Sequence, residues 1–203
     1  MENKIEKLYE LISNKYILNK DVYKSTTTLK FKKDLSNFIL NNYNFDGDIL
    51  EVGTNKGYTT VILAYVADIL GKKVYSYDIS QENINFANNL MKKFNIDNVN
   101  IIKKDVYKEK WDLDNIGFVF VDCVHERNYF VQDVKNSFDI IKGKNNKIVC
   151  HDYGLMQKDG DSIKKVISDN NYKILCYLGE KDNWNKNGTG RVIDWEGVVL
   201  GFS

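Results

Sequence analysis

Ile49-Leu50-Glu51-Val52-Gly53-Thr54-Asn55-Lys56-Gly57-Tyr58-Thr59-Thr60 reads as a buried strand, a tight turn holding two glycines, and the first turn of a helix. Glycine at such a turn lets backbone come close to a ligand. In an open parallel sheet ligands bind beyond the carboxyl ends of the strands, beside this first turn. A dinucleotide fold needs G-x-G-x-x-G there, and Asn55 stands where its second glycine would be, so pyrophosphate binding is disfavoured.

Outward from the turn the chain alternates. Apolar, β-branched runs at 49–52, 74–77, 99–102, 118–121 and 148–150 have the length of buried strands. Helical patterns at 58–70, 81–94, 127–141 and 162–168 separate them, with a less regular link between the third and fourth strands. Two further strand-like runs, 173–178 and 198–202, have no helix between them and predict an antiparallel end. Upstream, Ile5, Leu8, Tyr9 and Ile12 fall on one helical stripe, and residues 25–28 can cap a second helix that carries Leu35, Phe38 and Ile39. The predicted fold is α/β: a Rossmann-like, doubly wound, seven-stranded sheet, mostly parallel with an antiparallel last strand. One domain over 1–203 is expected, with N-terminal helices at 1–45 and the Rossmann-like core at 46–203.

Acids stand at successive strand ends. Glu51 precedes the glycine turn, Asp78 ends the second strand and can accept hydrogen bonds from both hydroxyls of a ribose, and Asp105 ends the third near an adenine's expected place. Each acid alone could simply cap the helix that follows it. Together with a turn poor in glycine they suit a phosphate-free nucleoside carrying a cationic sulfonium, S-adenosylmethionine.

Glu-Val-Gly-Thr-Asn-Lys-Gly-Tyr-Thr-Thr resembles the first motif of the metal-dependent small-molecule O-methyltransferases, the catechol and caffeoyl-coenzyme A group, and that of the macrocin and cephalosporin-tailoring group. The resemblance covers about residues 48 to 155. It implies a class I methyltransferase with S-adenosylmethionine contacted by Glu51, Gly53, Thr54, Asn55, Gly57, Tyr58, Asp78, Ile79, Asp105, Val106 and Asp122.

Two later motifs extend the resemblance. In Phe118-Val119-Phe120-Val121-Asp122-Cys123-Val124-His125 the families place a metal-binding acid at Asp122 and, three residues on, a lysine or histidine near the acceptor hydroxyl. His125 is therefore the candidate base, since an alcohol attacks a methyl carbon well only as its proton leaves, and imidazole titrates near ~6.5. Lys147-Ile148-Val149-Cys150-His151-Asp152-Tyr153 resembles the fifth-strand ending of the macrocin-like group. It implies a divalent cation, magnesium or manganese, on Asp122, His151 and Asp152, although magnesium prefers shells made wholly of oxygen. A zinc site from Cys123, His125, Cys150 and His151 is disfavoured, because neighbouring strand residues point to opposite faces. A Cys123–His125 nucleophile pair meets the same objection and leaves the glycine turn without a purpose.

The link from 179 to 196 is long for a hairpin, and Trp184 and Arg191 in it are candidates for an acceptor pocket or lid, as are residues 23–28. With 29 basic and 28 acidic residues, the net charge of +1 offers no global field for nucleic acid or anionic lipid. Neither a signal peptide nor a run of ~20 apolar residues is found, which predicts a soluble, cytoplasmic protein. Cys123, Cys150 and Cys176 are expected as buried reduced thiols. The expected activity is O-methylation of a small-molecule or sugar hydroxyl by a chain without membrane partners, with a homodimer left open. The alternatives are a binding or regulatory protein without turnover, and a metal-free methyltransferase acting on nitrogen or a macromolecule.

Overall fold

A computed structural model describes residues 2–13, 27–124, 126–141, 145–156, 163–184 and 191–201. The elements run α1 (Glu2–Ser13), α2 (Leu29–Asn41), β1 (Asp48–Val52), α3 (Tyr58–Leu70), β2 (Val74–Asp78), α4 (Gln81–Lys93), β3 (Val99–Lys103), β4 (Ile116–Val121), α5 (Arg127–Ile140) and β5 (Lys147–His151). They continue with β6 (Leu155–Met156), α6 (Ile163–Asp169), β7 (Lys173–Lys181), β8 (Arg191–Val192) and β9 (Trp195–Gly201). One seven-stranded sheet has the order β3-β2-β1-β4-β5-β9-β7. Strands β1 to β5 pair parallel, and β9 inserts antiparallel between β5 and β7.

The period of two along each strand divides the core into two layers. Ile49, Phe118, Phe120, Val149 and Val199 face α1, α2 and α3, where Leu8, Phe31, Leu35, Ile39 and Val61 meet them. Leu50, Val52, Val119, Val121, Ile148, Cys150, Val198 and Leu200 face α5 and α6 through Phe130, Val134, Val166 and Ile167. All six residues of β4 are buried, as expected of a central parallel strand.

Local chemistry sets the helix ends. Thr28 caps α2 by accepting from the Phe31 amide at 3.0 Å, Ser80 caps α4 by accepting from the Asn83 amide at 3.3 Å, and Gly71 in the left-handed region ends α3. The expected cap at 25–28 thus falls on Thr28, while residues 21–26 and the side chains of Ile5 and Ile12 lie outside the described residues. The sequence does not foretell the small second sheet, β6 with β8, whose strands are too short for any periodicity. β7 and β9 also run longer at the turn end than the apolar runs, pairing as far as Lys181 with Trp195. Among the described residues, no helix is long and apolar enough to cross a membrane.

Candidate functional site

Because β2, β1 and β4 are parallel neighbours, their carboxyl ends bring Gly53, Asp78 and Asp122 side by side. Gly53 has φ +104°, and a Cβ there would stand 2.1 Å from the Asp122 carbonyl oxygen, so only glycine lets the two strand ends approach this closely. The Gly53 and Thr54 amides donate back to the Tyr77 carbonyl, closing the turn. Asn55, itself at φ 48°, donates its amide to Asp78 Oδ2 at 2.7 Å, while Ser80 donates to Oδ1 at 2.7 Å. Two backbone amides therefore orient the Asp78 carboxylate.

The open cleft in front of this carboxylate has a volume of about 290 Å³. Of the sequence candidates, Gly53, Asn55, Asp78, Ile79, Asp105, Val106 and Asp122 line it, joined by Tyr77, Lys104, Tyr107, Cys123 and Val124, which the sequence reading missed. Ile79 is 61% exposed, an apolar surface that a planar ring could cover. Asp105 lines the cleft but spends its carboxylate locally, on the Tyr107 amide at 3.2 Å and on Lys108 at 3.1 Å. That lysine holds the Asp105 carboxyl below its usual range.

Glu51, Thr54, Gly57 and Tyr58 are not among the lining residues. Gly57 opens α3 against Ala87, and Tyr58 packs edge-on to Phe86 at 6.2 Å. Glu51 is fully buried and accepts from the Thr60 and Ser76 hydroxyls through Oε2, both at 2.5 Å, and the Ser76 hydroxyl in turn contacts that of Thr54. Burial pushes the Glu51 carboxyl up to about 8 against the pull of those hydroxyls, and Oε1 is left without a partner.

One strand further, Asp122, His151 and Asp152 place one ligand atom each within 4.8 Å of one another. His151 Nδ1 lies 3.2 Å from Asp122 Oδ1 and 3.2 Å from Asp152 Oδ1, within ion-pair reach of both. Asp152 takes left-handed backbone, φ 56°, which aspartate tolerates better than most residues. Burial opposes charge on the imidazole, yet Asp152 and Asp122 outweigh it and hold the proton affinity of His151 well above the ordinary value. Phe31 meets the ring edge-on at 4.8 Å and Trp184 at 5.8 Å. Trp184 is accordingly buried against His151, its indole donating to the Asp194 carbonyl, whereas Arg191 is exposed on β8. His125, the candidate base, lies outside the described residues, between Val124 at the cleft and Glu126 at the start of α5.

Two buried charges here escaped the sequence reading. Glu196 on β9 contacts His151 Nε2 at 3.2 Å, and Lys32 on α2, fully buried, donates to the Thr27 carbonyl. Burial lowers the Lys32 ammonium to about 8 although Glu196 and Asp122 pull it up. A signal existed for both: Lys32 falls on the apolar stripe of α2 between Phe31 and Leu35, and Glu196 sits inside an otherwise apolar run. Cys150 is packed in the α5–α6 layer, while His125, shared by the zinc and nucleophile-pair readings, lies outside the described residues. Cys123 bonds to Tyr107 and Asp133, and burial raises its thiol well above the usual range.

The sheet order, with its antiparallel strand inserted beside the edge, and a cleft at the parallel strand ends define the class I, S-adenosylmethionine-dependent methyltransferase fold. Residues 50–153 match the family described as "Methyltransferase domain", and the chain belongs to it. Among solved structures, the chain is similar to the S-adenosylhomocysteine-bound methyltransferase PaMTH1 of Podospora anserina, at TM-score 0.67, 13% identity, and coverage of 97% of this chain and 87% of that one. It is similar to an S-adenosylmethionine-dependent O-methyltransferase of Thermotoga maritima, at TM-score 0.60 and 16% identity over 94% and 70% of the two chains. An rRNA methylase of Streptococcus thermophilus matches at TM-score 0.58 and 14% identity over 86% and 98%. No curated protein sequence matches the chain at a significant level.

Proposed function

We propose that this protein transfers the methyl group of S-adenosylmethionine to a hydroxyl of a small molecule or sugar, with a divalent cation on Asp122, His151 and Asp152. The observation that carries the reading is the convergence of those three donors beside a cleft that Asp122 also lines. Two carboxylates and one imidazole suit manganese at least as well as magnesium. The nucleoside fits as well. Asp78 keeps acceptor capacity for two ribose hydroxyls, Ile79 and Val106 offer apolar surface to the adenine, and the orphaned Glu51 Oε1 under the turn can be satisfied by a cationic amino-acid end, through water.

When bound, the sulfonium would supply an electrophilic methyl carbon and the cation would lower the acceptor hydroxyl's pKa. The chain's own part is positioning: Asp78 holds the sugar, Gly53 keeps the turn close to Asp122, and Asp122 borders both cleft and cation site. His125 would accept the hydroxyl proton as the methyl carbon passes from sulfur to oxygen, with S-adenosylhomocysteine as the leaving product.

A second reading has its own support, because without a cation the carboxylates favour a protonated His151, and an imidazolium would then stand where the metal is proposed. Calorimetry with S-adenosylhomocysteine and with NAD, followed by a labelled-methyl acceptor screen with and without EDTA, tests these readings. Expected are uptake of S-adenosylhomocysteine alone and methylation that EDTA abolishes and Mn²⁺ restores. Undiminished methylation in EDTA selects the metal-free form, and no uptake of the nucleoside overturns both.

A further inference from the structure

Glu196 is fully buried on β9, and both of its oxygens are engaged. The Thr28 amide donates to Oε1 at 2.7 Å, the Thr28 hydroxyl to Oε2 at 2.5 Å and the Glu180 amide to Oε2 at 3.3 Å. A carboxylate receiving donors on both oxygens is an acceptor toward His151 too, which puts the hydrogen on Nε2, 3.2 Å from Oε1. With Phe31 and Trp184 packed against the ring, its plane is set, and Nδ1 is the nitrogen that faces Asp122 and Asp152.

We propose that Glu196, although it does not line the cofactor cleft, is a positioning residue of the cation site: its hydrogen bond to Nε2 fixes the tautomer and orientation of His151 so that the Nδ1 lone pair is presented between Asp122 and Asp152. This rests on the divalent-cation reading above. A metal-bound histidine commonly donates its other N–H to a carboxylate, and losing that partner typically weakens metal affinity ~10- to 100-fold. Here the carboxylate also grips Thr28, the N-cap of α2, so the same group sets the imidazole and docks that helix against the sheet.

Mn²⁺ titrations followed by electron paramagnetic resonance, run beside S-adenosylhomocysteine titrations, test this on wild type, Glu196→Leu and Glu196→Gln. Glu196→Leu is expected to weaken Mn²⁺ roughly 10- to 100-fold and leave nucleoside affinity unchanged, whereas Glu196→Gln, which keeps an acceptor at Oε1, retains most of the Mn²⁺ affinity. Unchanged Mn²⁺ affinity in Glu196→Leu, or equal loss of both ligands, overturns the proposal. Nucleoside uptake without any Mn²⁺ binding by wild type removes the cation reading itself. Should Glu196→Leu not fold, ¹⁵N ring shifts of His151 in wild type loaded with diamagnetic Mg²⁺ decide, with His125→Gln used for assignment: a proton on Nε2 and none on Nδ1 supports the proposal, and the reverse tautomer sinks it.

Discussion

Glu51, the acid at the head of the glycine turn, is wholly removed from solvent. Glu51 keeps its proton in the folded state up to about 8, while in the unfolded chain it ionises near the ordinary carboxyl value of 4.5. Unfolding between those values releases a proton, so the cofactor-free protein loses stability as pH rises from about 4.5 toward 8, by at most about 1.4 kcal/mol per pH unit from this group. Glu51→Gln retains an acceptor for the Thr60 and Ser76 hydroxyls but cannot ionise. Urea unfolding at pH 5.5 and pH 8 should show a smaller pH-dependent loss in the variant, and identical losses would contradict the burial account. Glu51, Asp78 and Asp122 were legible as acids at strand ends because strand periodicity locates those ends. That Glu51 lies beneath the turn and outside the cleft lining was not, since this depends on the Ser76 and Thr60 hydroxyls of other elements.

Among the elements, α2 links the N-terminal part of the chain to the site. Thr28 accepts from Phe31 as its cap and donates to Glu196 across the sheet edge, so one hydroxyl joins a local and a distant bond. Thr28→Ala should cost about 1–2 kcal/mol in chemical denaturation, the usual scale of a lost N-cap with a second partner, while leaving S-adenosylhomocysteine affinity as it was. A loss below about 0.5 kcal/mol would show the cap to be dispensable. Helices α3, α4 and α5 could be read within a residue or so, because apolar residues recur through each, with Gly71 ending α3 and Ser80 capping α4. β6 and β8 could not, having two residues each and a partner far along the chain.

For the whole molecule, the inserted last strand is decisive. β9 gives β5 and β7 their hydrogen-bonding partner and buries Val198, Val199 and Leu200 completely. Each such side chain contributes about 1.5–3 kcal/mol, together comparable with a domain's entire net stability of ~5–15 kcal/mol. A chain ended at Asp194 should therefore lose its cooperative thermal transition, and a sharp melt by calorimetry would refute this. The amino-acid sequence by itself determined the alternation of strand and helix, the non-phosphate turn and the acids at strand ends, because all of these are local in the chain and governed by period and turn chemistry. Only the tertiary structure decided that Glu196 meets His151, 45 residues away, and that Lys32 is buried beside them. Those contacts arise when the antiparallel strand β9 and helix α2 close on one another beside β5, and no local pattern encodes the register of that closure.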